Sequence, residues 1–145
     1  MPKEIDSKLN DLSVEQEQAV TQFMNAAAQA FEHLDPDTLQ KMQHPGGGLQ
    51  GIKNSFEFNK GLMEGGDRII AWSARPYEEP RWRIMKEYRH QPAPTIWVDV
   101  LLSDGSRERE YYFALAPREN GDLRSCYYVD RDKPRKRRAS SSGNS

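Results

Sequence analysis

Asp99 lies in the middle of Trp97-Val98-Asp99-Val100-Leu101, where a carboxylate is costly unless it is solvated or paired. A two-residue turn at Asp104-Gly105 sets it across the hairpin from Glu110. Two close carboxylates raise the pKa of one of them, the usual device for a general acid or base. Asp99 and Glu110 are therefore the candidate catalytic pair, suited to a metal-independent isomerase or dehydratase type of reaction. The competing reading keeps both on an outer face, wetted or separated by a cation such as Arg83 or Lys86. Arg109, Tyr111 and Tyr128 project on the opposite face, and Trp72 and Trp82 add aromatic surface from the first two strands. Two hydroxyls and one arginine among apolar walls suit a small apolar or amphipathic molecule with an anionic or carbonyl group. As ordinary core residues they would instead fill the interior, with Arg109 snorkelling.

Other chemistry finds less support. Gly46-Gly47-Gly48-Leu49-Gln50-Gly51-Ile52-Lys53-Asn54-Ser55 fails as a phosphate loop, because Ile52 separates the last glycine from the lysine and no strand precedes it. His33, His44 and His90 show no ligand spacing, so the sequence implies no metal and no cofactor. The single Cys126 excludes an intramolecular disulfide and reads as a small buried hydrophobe on the core face.

The net charge of −1 conceals an asymmetry. Residues 131–138 carry six cations against Asp132, a net of +5, which leaves 15 basic and 21 acidic residues elsewhere, a net of −6. An acidic body argues against the fold as a nucleic-acid platform and leaves the tail as the place for weak polyanion binding. Arg137-Arg138-Ala139-Ser140 also resembles a basophilic kinase site. There is no apolar run of spanning length and no basic-apolar-small leader, so a cytoplasmic location is expected and no membrane partner.

The elements that must position these residues are legible in outline. Ser13 and Gln16 form a capping box for a helix over 13–34, with Val20, Phe23, Met24, Ala27, Phe31 and Leu34 as its apolar stripe. Asp35-Pro36 caps a short second helix to about 43. A third helix carries Leu49, Ile52, Phe56, Leu62 and Met63 and ends at Gly65-Gly66. Strands follow at about 68–76, 81–90, 95–103, 106–117 and 122–131, with Asp104-Gly105 and Asn120-Gly121 as two-residue turns.

Those turns place Ile96, Val98, Val100, Leu102, Tyr111, Phe113, Leu115, Cys126 and Tyr128 on the face that receives the long helix. The other face bears Trp97, Tyr112 and Tyr127, too much aromatic surface for plain solvent, and is the expected homodimer interface. A bulge at either turn would flip these assignments.

The helix order, Trp97-Val98-Asp99-Val100-Leu101-Leu102-Ser103-Asp104-Gly105 and the ending Gly121-Asp122-Leu123-Arg124-Ser125-Cys126-Tyr127-Tyr128-Val129 resemble the nuclear-transport-factor-two-like (SnoaL-like) superfamily over residues 13–130. The resemblance implies an α+β, cystatin-like cone: helices packed in a curved antiparallel sheet, an apolar pocket at the open end, and often a dimer. Members include isomerases, dehydratases and proteins without known catalysis, so the fold does not select a function. The expected organisation is a flexible N-terminus over 1–12, one cone domain over 13–130 and a basic, Ser-rich disordered tail over 131–145. The leading expectation is a small-ligand or partner-binding domain without established catalysis; the alternatives are the carboxylate and tyrosine enzyme, and tethering through the tail.

Overall fold

The computed structural model describes residues 5–43, 48–78, 82–84, 93–118, 122–126 and 128–130. The chain is α+β. Strand β1 (Asp6–Leu9) precedes helices α1 (Val14–Glu32), α2 (Pro36–Lys41) and α3 (Gly48–Glu64). Strands β2 (Arg68–Pro76), β3 (Trp82–Ile84), β4 (Ile96–Ser103), β5 (Glu108–Pro117), β6 (Leu123–Cys126) and β7 (Tyr128–Asp130) follow. The main sheet has the order β1-β2-β4-β5-β6, while β3 and β7 pair separately.

The helix starts follow their sequence signals. Ser13 Oγ accepts from Gln16 N–H and Gln16 Oε1 accepts from Ser13 N–H, so the capping box is complete. Asp35 Oδ1 accepts from Thr38 N–H and its other oxygen from the Thr38 hydroxyl, which holds the Asp35 carboxyl below the usual carboxylate range. Helix α1 buries Val20, Phe23, Met24, Ala27, Ala30 and Phe31 against the sheet. Leu34 is not part of that stripe: the helix stops at Glu32, and Leu34 turns away at φ 54 with its side chain exposed.

The structure departs from the expected elements in several places. Within the N-terminal stretch, residues 6–9 add a parallel edge strand to β2, and Ile5 and Leu12 pack on the core to either side of it. Of the expected strand 81–90 the described part is β3, which pairs with β7, while β2 pairs with β1 and β4. The expected last strand is divided between the two sheets, as β6 in one and β7 in the other. The cone is not formed either: the sheet is mixed and open, with β1 and β6 at its edges, and is not strongly curled.

The turns decide the register. Ser103 pairs with Glu108, so the first loop holds four residues, not two. Asp104 Oδ1 accepts from the N–H groups of Ser106 and Arg107 and from the Ser106 hydroxyl, an Asx turn that closes the wider loop. Val100 therefore faces Tyr111, and Val98 faces Phe113. A two-residue slip leaves every side chain on its expected face, and Ile96, Val98, Val100, Leu102, Phe113 and Leu115 do form the core. At the second turn Pro117 pairs with Leu123, an odd, one-residue slip from the expected register. It flips β6. Cys126 joins Trp97, Ala114 and Ala116 on the opposite face instead of the main core.

Candidate functional site

A cavity of about 480 Å³ opens where α1, the α2–α3 connection, α3 and strands β5 and β6 meet. Two rows of side chains line it. The first is aromatic and continuous. Phe58 of α3 leans on Tyr111 with ring centres 5.9 Å apart, Tyr111 meets Phe113 edge-on at 5.3 Å, and Phe113 meets Phe23 of α1 edge-on at 5.1 Å. Tyr111 and Phe113 are two residues apart on β5 and so share its inner face.

The second row is polar and uncharged. Gln43 Nε2 donates to Ser55 Oγ, Asn59 Nδ2 donates to the same oxygen at 3.4 Å, and the Tyr111 hydroxyl donates to Asn59 Oδ1 at 2.7 Å. Ser55 and Asn59 are four residues apart on α3, hence one above the other on one helix face. Gln43 is placed by β6: it forms a parallel bridge to Ser125, Ser125 N–H donates to Met42 O, and an Arg124 guanidinium N–H donates to Lys41 O. Asn59 is 4% exposed and Gln43 9%. The rows meet at Tyr111. Leu39 and Met42 complete the apolar side, and Glu110 is the only charged lining residue among those described.

This arrangement can hold a flat apolar body on one side and hydrogen-bond a polar group on the other. Its ionisable lining residues among those described are Glu110, Tyr111, Tyr112 and Cys126. Asp99 faces Tyr112, and Glu110 faces Leu101, so the two carboxylates are not partners across the hairpin. Asp99 instead accepts from Trp97 Nε1 at 2.9 Å and pairs with Arg75 at 3.4 Å on the outer face, with more than half of its side chain in solvent. Glu110, also exposed, reaches only the cavity rim.

The other sequence candidates scatter. Tyr111 lines the cavity, whereas Trp72 is a core residue outside it. Arg109 leaves the cavity for Asp67, whose side chain is 6% exposed; its Nε lies 3.4 Å from Asp67 Oδ2. The side chains of Trp82 and Tyr128, like the whole of Tyr127, lie outside the described residues. Of the expected dimer strip, Trp97 is already buried within one chain, stacked on Tyr112 at 4.4 Å, so that Tyr112 is the ring left 39% exposed.

Gln43, Ser55 and Asn59 escaped the sequence reading. The signal was present for two of them. Ser55 and Asn59 interrupt the apolar stripe Ile52, Phe56, Leu62 and Met63 at the same three- and four-residue spacing. Gln43 carried none, because its place depends on a bridge to a strand 82 residues further along. Among the described residues no cluster of His, Cys, Asp or Glu could hold a metal, and no helix is long and apolar enough to cross a membrane. Set against known protein families, curated proteins and solved structures, the chain matches none.

Proposed function

We propose that this protein binds a small, mostly apolar molecule with one polar end. The observation that carries the reading is the cavity of about 480 Å³ in which a continuous aromatic row meets buried amides. That volume lies within the range of small-molecule sites, which combine apolar walls with a few well-placed polar groups. Burying a ligand against four rings supplies binding energy without any charge.

The neutral dye Nile red tests this by fluorescence titration. The wild-type protein is expected to bind it with micromolar affinity. Phe58 is 55% exposed at one end of the aromatic row, so Phe58→Ala leaves the fold intact. Losing one ring contact should weaken the dye by about three- to tenfold. Absence of dye binding, or identical binding to Phe58→Ala, would remove the cavity as the site.

A further inference from the structure

Asn59 is a buried amide with a hydrogen to spare. Its Oδ1 accepts a hydrogen bond from the Tyr111 hydroxyl at 2.7 Å. Its Nδ2 carries two hydrogens, and one is directed to Ser55 Oγ over a long 3.4 Å. The other has no acceptor among the described residues, although Asn59 is 4% exposed and lines the cavity. A ligand oxygen in the cavity would add a second hydrogen bond to this nitrogen, which now holds only the long one to Ser55.

The charge around the cavity narrows the class further. No Lys, Arg or His lines it among the described residues, and the one ionised group, Glu110 at the rim, repels anions. The aromatic row running from Phe58 through Tyr111 and Phe113 to Phe23 favours a flat body. We infer that the ligand is an uncharged, flat molecule with a hydrogen-bond-accepting oxygen of the carbonyl kind, that Asn59 recognises that oxygen, and that Tyr111 is the positioning residue that holds the Asn59 amide in its donating orientation. This rests on the cavity being a binding site and adds what it selects.

The test uses three naphthalene dyes of one shape: the uncharged ketone prodan, its propyl analogue without the oxygen, and its carboxylate analogue. Wild-type protein should bind the ketone roughly tenfold more tightly than the propyl compound, as one added hydrogen bond to a largely buried amide predicts. The carboxylate should bind no better than the propyl compound. Asn59→Leu should bring the ketone-to-propyl ratio to about one while propyl binding persists, and Tyr111→Phe should lower the ratio part of the way. A merely structural role for Tyr111 would weaken all three dyes alike and leave the ratio untouched. Equal binding of ketone and propyl compound to the wild type, or preference for the carboxylate, overturns the inference and leaves the pocket standing. No binding of any dye overturns both. If Asn59→Leu does not fold, the wild-type comparison and Tyr111→Phe still decide.

Discussion

Cys126 is 6% exposed beside Trp97, Ala114 and Ala116, and burial pushes its thiol up from 9.0 to about 12. Burial strips water from the charged thiolate and so disfavours it against the neutral thiol. A thiol pKa raised in the folded state contributes stability that is complete below the unfolded value of 9.0 and is lost as the pH climbs towards about 12. At pH 8 the thiolate fraction falls about a thousandfold on folding, partly offset by the greater nucleophilicity of a more basic thiolate. Exchange with an aromatic disulfide reagent should therefore be roughly thirty- to sixtyfold slower in the native protein than in denaturant, before any steric barrier is counted. Equal rates would mean that Cys126 is not buried as described. The sequence identified Cys126 as a small buried residue correctly but put it on the wrong face, since a side chain's face depends on a turn length that no single residue reveals. Asn59 poses the opposite case: its polarity was visible on an apolar stripe, but its hydrogen-bond partner, Tyr111, lies 52 residues away.

Two helices of this chain end in the same way with different residues. At the end of α1, Asp35 N–H donates to Ala30 O and Leu34 N–H to Phe31 O; at the end of α3, Asp67 N–H donates to Leu62 O and Gly66 N–H to Met63 O. Both are Schellman caps, whose turning residue takes a positive φ. Gly66 does so at φ 95 without strain, whereas Leu34 does so at φ 54 against its own Cβ. Leu34 is 53% exposed, so shortening it forfeits little burial. Leu34→Gly should raise stability by about 0.5–1 kcal/mol, strain relief less the added freedom of the unfolded chain. Gly66→Ala should lower it by about 1 kcal/mol or more, although the added Cβ would meet Asp104 Cβ at an unstrained 3.7 Å. Urea midpoints of the two variants moving in the same direction would contradict this assignment. The Gly65-Gly66 stop was legible because glycine announces a positive φ; the Leu34 stop was not, because a leucine at helical spacing reads as one more stripe residue. The hairpins teach a similar lesson. Gly105 turns at φ 99 as an Asx-Gly pair implies, yet the Asp104 carboxyl, drawn down to about 2 chiefly by the Ser106 N–H and then by that of Arg107, reaches past the two-residue geometry and widens the loop. Face survived there only because the slip was even.

At the scale of the whole molecule, charge is distributed against any nucleic-acid role for the folded part. The last described element ends at Asp130, and the segment 131–138 that follows in sequence holds six of the 21 basic residues. Residues 1–130 and 139–145 together therefore carry 15 cations against 21 anions, and the cavity offers no cation to a phosphate among the described residues. Weak polyanion binding should reside in the terminal segment alone. It would arise from released counterions, so it should fade as salt rises and the Debye length shrinks below about 10 Å. Full-length protein is expected to be retained on heparin at low salt and to elute early in a salt gradient, while a chain ending at Asp130 passes through. The truncated chain keeps every strand and helix described, so its melting temperature should match that of the full chain within about 2 °C. Equal retention of both forms would require a basic surface on the folded body. Such a surface would sit on a part of the chain whose net charge is −6, and it could be located by finding which arginine, Arg75, Arg107 or Arg109, abolishes retention when replaced by glutamine.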